Sequence, residues 1–229
     1  MANGPGRFWD AAGSSYAGTS ITFLTPRATR KGDSLIVVLI LAIGQPLTLP
    51  TGWSILVRDQ SLCVLRRIAT EDEPAQHVFT TANALAPNPV GVLLVYRALN
   101  VEAGLVDEKV AAQASSTAYV APSVTATSYS DVELAIFYAL DLAATATFTS
   151  TLQQRGPTVH GTPGASGGTL AVFENIALAS GATGTKNATC STAVAGVVCA
   201  VLLKSMPTLP APFVVPDVAG AIGLVSKGV

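Results

Sequence analysis

Short apolar runs separated by clusters of Gly, Pro, Asn, Asp and Ser recur along almost the whole chain. Several runs alternate apolar and polar residues, and helical periodicity is almost absent, a pattern typical of the strands of a sandwich or barrel. The pattern predicts two series of strands. The first series covers residues 20–25, 34–43, 53–58, 62–68, 77–80 and 90–96, and the second covers 124–127, 132–140, 146–151, 169–173, 188–191 and 195–203.

The two series are similar to each other at an offset of roughly 100 residues. The corresponding stretches are 32–37 with 130–135, 62–69 with 169–177, and 90–95 with 195–202. A single copy would leave an apolar sheet face exposed, whereas two copies that face each other bury it. The sequence therefore predicts an all-β fold, namely a two-sheet β-sandwich of jelly-roll type with pseudo-repeated halves. Chance similarity between ordinary strand patterns is the alternative.

The two ends of the chain differ in character from the predicted sandwich. We expect an N-terminal arm over residues 1–19, a β-sandwich domain over 20–204 and an extended C-terminal arm over 205–229. The prolines of the last segment exclude a central strand, and its many apolar side chains are unlike those of a solvated tail. We expect this arm to pack on a neighbouring subunit through Leu209, Phe213, Val214, Val215, Ile222, Leu224 and Val225. A frayed terminus is the alternative.

Composition narrows the classes of partner. Charged residues make up 12% of the chain, hydrophobic residues 49%, and the formal net charge is -1. So neutral a chain has no electrostatic reason to bind nucleic acid or anionic lipid. The longest apolar runs, 35–43 and 194–203, are too short to cross a bilayer as helices. Because residues 1–15 do not have the pattern of a secretory signal, we expect the protein to be made and folded in a cytoplasm.

The cysteines fit that expectation. Cys63, Cys190 and Cys199 are odd in number and lack the close spacing of a zinc site or a disulfide framework. Each lies in an apolar, strand-like stretch, where cysteine usually acts as a small hydrophobic residue. A bridge from Cys63 to Cys190 or to Cys199 remains open from the sequence alone.

Candidate catalytic residues are few. His77 lies in a strand-like stretch and His160 in a Gly/Pro loop, and neither has a cysteine or carboxylate at metal-ligand spacing. Ser166 stands in a GASGG stretch that matches the spacing of a hydrolase nucleophile elbow, but the strand–turn–helix context of such an elbow is missing. We therefore expect no catalytic residue, no metal and no cofactor.

Carboxylates and aromatic side chains lead to the same conclusion. One acidic loop contains Glu71, Asp72 and Glu73. Because the spaced ligands of a calcium-binding loop are absent, we expect this loop to be a solvated turn. The other carboxylates are scattered and do not define a glycosidase pair. The aromatic residues that could bind a sugar mostly lie in apolar strands and are more simply core; they are Trp9, Tyr16, Trp53, Tyr96, Tyr119, Tyr129 and Tyr138.

Four stretches carry a resemblance to a known family. They are GDSLIVV at 32–38, LPTGW at 49–53, CVLRRIA at 63–69 and VLLVYRAL at 92–99. Their order resembles a β-sandwich family of tailed-bacteriophage structural proteins, often minor tail or virion-surface proteins. The resemblance covers roughly residues 20–203, and the Pro-Thr-Gly-Trp turn is its strongest part. It implies a virion component, made in the host cytoplasm, with no catalytic residues to carry over.

The sequence thus predicts a non-enzymatic structural protein of a phage virion, either a capsid decoration or a minor tail protein. Its expected partners are other virion proteins and copies of itself, because a charge-poor sandwich with apolar arms suits a symmetric shell or tube. The alternative is a carbohydrate-binding or host-adhesion module that recognises a cell-surface glycan, and a hydrolase comes third. Head or tail placement, symmetry and the partner protein stay open.

Overall fold

The computed structural model describes residues 7–17, 19–59, 61–82, 89–97, 99, 105–128, 131–161, 167–177 and 179–205. Within these ranges every regular element is a β-strand, and all strand pairs are antiparallel. The all-β class that the apolar pattern predicts is therefore confirmed.

The first half of the chain forms one eight-stranded sheet. Its strands are β1 Arg7–Ala17, β2 Ser20–Leu24, β3 Ser34–Ile40, β4 Leu47–Thr48, β5 Ser54–Asp59, β6 Leu62–Ile68, β7 Gln76–Thr81 and β8 Val90–Arg97. They are ordered β4-β7-β2-β1-β8-β3-β6-β5. The central strand β3 is buried along its whole length, which its unbroken run of Leu, Ile and Val after Ser34 requires.

The second half forms a seven-stranded sheet and a separate two-stranded one. Its strands are β9 Leu105–Ala121, β10 Thr125–Ala126, β11 Val132–Ala139, β12 Phe148–Thr149, β13 Gln153–Gln154, β14 Val159–His160, β15 Thr169–Ile176, β16 Gly181–Ala182 and β17 Lys186–Leu203. The larger sheet has the order β12-β17-β11-β15-β13, and in addition β14 pairs with β15 and β9 pairs with β17. The two-stranded sheet consists of β10 and β16. The strand β11 is buried along its length and corresponds in position to β3.

The two larger sheets share one order of pairing. The run β1-β8-β3-β6 in the first sheet matches β9-β17-β11-β15 in the second. The outer strands also correspond. In the first sheet β7 pairs with β2 and β4, and in the second sheet the start of β17 pairs with the end of β9 and with β12. In the second half, single long strands replace the pairs β1/β2 and β7/β8, and register shifts between Thr189 and Gly196 accompany this change along β17.

A buried aspartate precedes the central strand of each half. Asp33 accepts the N–H of Arg30 at 2.8 Å and pairs with Arg97, at the end of β8, at 3.2 Å. Asp131 accepts the N–H of Ser128 at 3.1 Å and pairs with Lys204, just after β17, at 3.5 Å. Both halves therefore fix the same turn by the same polar contacts.

Apolar side chains fill three main layers. In β3, Ile36, Val38 and Ile40 belong to a cluster that also includes residues of β11, β15 and β17, so this layer joins the two halves. The alternate residues of β3 belong to a second cluster, inside the first half, with Trp53 and Phe79. An analogous third cluster lies inside the second half. Each central strand thus packs on both faces, as the period of two along a strand dictates.

The sheet begins earlier than the sequence suggests. Arg7–Ala17, which the sequence assigns to an N-terminal arm, form β1, which pairs with both β8 and β2. Its Gly, Ser and Ala residues resemble a loop in sequence, but the ladder hydrogen bonds come from the neighbouring strands. The C-terminal arm lies outside the described residues from 206 onward, and the described chain ends at Ser205, which bridges to Leu99.

Candidate interaction surface

An apolar cleft lies between the two halves, where β3 and β11 end. It has a volume of about 390 Å³, within the range of about 300–1,000 Å³ typical of small-molecule sites. Its walls come from four separate stretches of the chain; the lining residues are Ile40, Leu41, Ala42, Ile43, Ser61, Tyr138, Leu140, Ala195, Gly196 and Val197. None of these residues carries a charge, and the polar side chains among them are those of Ser61 and Tyr138.

Two large aliphatic side chains of the cleft stand exposed to solvent. Ile43 is 75% exposed and Leu140 is 47% exposed, and Leu142 in the following loop is 54% exposed. Single exposed apolar residues are ordinary on a protein surface, but a group of them around an apolar cleft marks a contact site. This part of the surface is suited to bind another apolar surface.

The rim of the cleft is held in place by hydrogen bonds. Leu140 donates its N–H to the carbonyl of Ala195 at 2.8 Å. The buried Asp141 carboxylate accepts the N–H groups of Ala143 at 3.1 Å and of Thr145 and Ala146 at 2.7 Å. Burial alone would raise the pKa of Asp141, but these hydrogen bonds outweigh it and lower the pKa below its usual value. The loop is thus preorganised.

The floor of the cleft is formed by close packing around Tyr138. Tyr138 is 7% exposed, and burial raises the pKa of its hydroxyl. A Cβ atom at Gly196 would collide with the carbonyl of Tyr138, so only glycine allows β11 and β17 to approach here.

The candidate residues that carry polar chemistry form a structural network elsewhere. His77 is buried; its Nδ1 accepts the indole N–H of Trp53 at 3.2 Å, and its Nε2 lies 3.2 Å from Glu73 Oε1. Glu73 also pairs with Arg67 Nε at 2.8 Å, and the Arg67 guanidinium donates to the carbonyl of Thr51. The network fastens the Pro-Thr-Gly-Trp turn to β6 and β7.

The surroundings of His77 and Glu73 set the protonation state of each side chain. Burial lowers the pKa of His77, the negative charge of Glu73 raises it, and the positive charge of Arg67 lowers it, so that the pKa falls below its usual value. Burial raises the pKa of Glu73, but hydrogen bonds from Arg67 and Thr70 outweigh this effect and lower the pKa. Near pH 7 the network therefore consists of a neutral imidazole beside an ion pair.

The acidic loop is only partly the solvated turn that the sequence predicts. Glu71 and Asp72 are exposed, and Glu71 pairs with the equally exposed Lys31 at 3.2 Å. The side chain of Glu73, in contrast, is 7% exposed because it turns inward to Arg67. The prediction is wrong for Glu73, and the missing signal was a cation on the neighbouring strand, which no local spacing reveals.

The remaining candidates are dispersed. His160 lies in the short strand β14, exposed, with Nδ1 3.1 Å from the hydroxyl of Thr169. Ser166 lies outside the described residues. The three cysteines are free and buried, so neither bridge from Cys63 is formed. Burial raises the pKa of the Cys63 and Cys199 thiols, which makes them poor nucleophiles.

Few aromatic side chains reach solvent in the described part of the chain. Trp53, Tyr96, Tyr119 and Tyr138 are buried, as expected of core residues. Trp9 is 46% exposed, and the guanidinium of Arg97 covers its ring at 3.4 Å from the centroid. The described residues therefore present one partly covered indole rather than a row of aromatic platforms.

The predicted partner-contact residues of the C-terminal arm all lie outside the described residues; they are Leu209, Phe213, Val214, Val215, Ile222, Leu224 and Val225. The cleft, in turn, has no counterpart among the sequence-based candidates. Within the described ranges no three His, Cys, Asp or Glu side chains are grouped to hold a metal ion. The same ranges contain no helix long and apolar enough to cross a membrane. No protein-family model, curated protein or solved structure matches the chain.

Proposed function

We propose that this protein is a structural component of a phage virion, a capsid decoration or minor tail protein, that acts through contacts with copies of itself and with other virion proteins. The observation that carries the proposal is the apolar cleft with Ile43 and Leu140 exposed in it. In a chain with 12% charged residues, such a surface is better explained by a protein partner than by solvent.

The resemblance to tailed-phage structural proteins contributes the virion part of the proposal. Its strongest motif, the turn Pro50–Trp53, has a structural role here. Gly52 has a φ of 84°, in the left-handed region that favours glycine, and Trp53 is buried in the core of the first half. The motif therefore supports a fold-building role.

We also infer that the fold is a β-sandwich of jelly-roll type with pseudo-repeated halves. The order β1-β8-β3-β6 beside β2-β7-β4 supports a jelly-roll arrangement, and β9, β17, β11, β15 and β12 are paired in the corresponding order. The equivalent contacts of Asp33 with Arg97 and of Asp131 with Lys204 support the repeat. The apolar layer that includes residues of β3 and β11 joins the two halves.

The alternative function, binding of a host glycan, rests on the same fold. Sugar sites usually stack the ring on exposed aromatic faces. Trp9 is the one indole that the described residues expose, and Arg97 already covers it. We therefore favour the structural role.

Two measurements test the proposal. The full-length protein should self-associate in sedimentation velocity, and deletion of residues 206–229 should weaken this association while the circular dichroism spectrum stays β-dominated. A tagged copy should co-purify with phage particles assembled in its presence, and the deleted form should be incorporated less. Equal assembly and incorporation of both forms would show that the arm is a mere tail, and specific retention on a glycan array would favour adhesion.

A further inference from the structure

We propose that the apolar cleft of one copy binds the C-terminal segment, residues 206–229, of a second copy, so that subunits join head to tail. This inference rests on the proposed function, since it names the surface that receives the arm. It begins with the position of two features along β17. Gly196 lies at the cleft, whereas Leu203 pairs with Val132 and Leu105 at the opposite end of the sheet.

The segment leaves the described fold at that opposite end. Ser205 is the last described residue and bridges to Leu99. From Gly196 to Leu203 the strand rises by about 23 Å, at about 3.3 Å per residue. The segment therefore starts at the end of the sheets that lies farthest from the cleft, and a second copy placed end to end brings the two together.

The segment and the cleft match in chemistry. No described residue that lines the cleft is charged, and the segment carries only Asp217 and Lys227 as charges. The segment offers Phe213, Val214 and Ile222 among its apolar side chains. Both surfaces therefore gain free energy when they leave water together.

Prolines favour docking on a neighbour over a return to the chain's own cleft. To reach its own cleft, the chain would have to reverse after Ser205 and run back along the sheets. Pro207, Pro210, Pro212 and Pro216 fix φ near the extended value and withhold four backbone donors from pairing. They also reduce the conformational entropy lost when the segment is ordered on a partner.

The contact is heterologous, because each subunit gives a segment at one end and a cleft at the other. Such contacts close into rings or continue as filaments, according to the angle between successive subunits. Both outcomes suit a repeated virion layer or tube. A two-fold dimer in which two clefts face each other is the competing arrangement.

The test uses three full-length double variants in sedimentation velocity over a range of concentrations. The cleft variant is Ile43→Glu/Leu140→Glu and the arm variant is Phe213→Asp/Ile222→Asp. The control, Leu24→Glu/Ile55→Glu, adds the same charges at apolar sites of similar exposure, 62% and 45%, outside the cleft. We expect the cleft and arm variants each to lose association by about 30-fold, equivalent to about 2 kcal/mol, and the control to behave as the wild type.

Mixing the two weakened variants separates the possible arrangements. The intact arm of the cleft variant should bind the intact cleft of the arm variant, so an equimolar mixture should form a one-to-one complex that grows no further. No complex in the mixture, or a wild-type protein that stays monomeric at every concentration, overturns the inference.

The cleft variant and the arm variant, each measured alone, distinguish a failure of this inference from a failure of the proposed function. If the arm variant dissociates while the cleft variant associates as the wild type, the arm binds elsewhere; the inference fails and the structural role stands. If the cleft variant dissociates but the arm variant does not, the cleft meets a different surface and the inference also fails. If neither variant loses association, the subunits meet through other surfaces and the inference fails while the structural role stands. If the wild type neither associates nor enters particles, the proposed function fails as well.

Discussion

A buried ion pair in the second half offers a direct test of the structure. Glu133 in β11 is fully buried, and one of its oxygens lies 3.0 Å from Nζ of Lys186, whose side chain is 8% exposed. Glu133 also accepts hydrogen bonds from Asn175 at 3.0 Å and Thr183 at 3.1 Å. Lys186 in turn donates to the carbonyls of Thr183 and Gly184. This pair anchors the start of β17 to the centre of its sheet.

Replacing Lys186 with Met keeps most of the apolar stem and removes the cation. Glu133 then stays buried without its counterion, a change that costs about 3–5 kcal/mol in comparable sites. For a chain of this size each kcal/mol moves the melting temperature by about 2–4 °C. We therefore expect Lys186→Met to lower the melting temperature by about 6–20 °C. The double variant Glu133→Gln/Lys186→Met should recover most of this loss, because it leaves no unpaired charge.

The assay is thermal and guanidinium unfolding near pH 7, and the chain contains its own control. Lys31 and Glu71 form a pair of nearly equal length, 3.2 Å, but their side chains are 72% and 79% exposed. Lys31→Met should therefore cost less than about 1 kcal/mol. The reasoning is refuted if Lys186→Met costs no more than Lys31→Met, or if the double variant is as unstable as the single one.

Two further predictions concern the Pro-Thr-Gly-Trp turn and its network. In urea unfolding, Gly52→Ala should lower the stability more than Gly32→Ala does. With φ of 84° and 85°, an alanine costs about 1–2 kcal/mol of backbone strain at either site, but only the Cβ at residue 52 would also collide with Arg67. Equal losses of stability would contradict the role of Arg67. Burial lowers the pKa of His77 in the folded protein below 6.5. As the pH falls through about 6.5, His77 therefore binds a proton more readily in the unfolded chain than in the folded one, and the free energy of unfolding decreases. Between about pH 7.5 and about pH 5.5, wild type should therefore lose more stability than His77→Gln, and parallel losses would argue against a neutral His77.

The apolar pattern predicted the central strands well because each of them carries its own signal. Residues 34–43 and 132–140 were expected as strands, and the structure has Ser34–Ile40 and Val132–Ala139. Both are buried on two faces, so nearly every position must be apolar. Where burial alone decides the residue type, the sequence is sufficient to locate the strand.

The long edge strand β9 was not predicted, for the opposite reason. In β9, Leu105–Ala121, most positions are exposed or half-buried, and small or polar residues fill them. Its hydrogen bonds are supplied by β17, from Lys186 opposite Ala121 to Leu203 opposite Leu105. The strand therefore depends on a partner that is distant in sequence. Likewise β17 was expected as two strands, because the exposed residues 191–193 interrupt its apolar pattern where its pairing with β9 shifts in register.

The cleft could not be predicted, because no single stretch encodes it. Ile43 and Leu140 each look like the last residue of an apolar run. Their shared surface exists only after the two halves are packed through the layer that contains Ile40 and Tyr138. A repeat in the sequence indicates that the halves are alike, but not which strand ends meet. Sites at such junctions require the tertiary structure.

The placement of the charges strengthens the argument for a contact surface. The chain has 13 Lys and Arg and 14 Asp and Glu residues. Five of each are paired with one another, and no side chain in these pairs is more than 31% exposed; the pairs are Arg67–Glu73, Arg97–Asp33, Arg155–Glu174, Lys186–Glu133 and Lys204–Asp131. The exterior is therefore poorer in charge than the composition suggests. Because net charge and charged surface keep isolated proteins apart, so neutral an exterior favours lasting contact with other protein subunits.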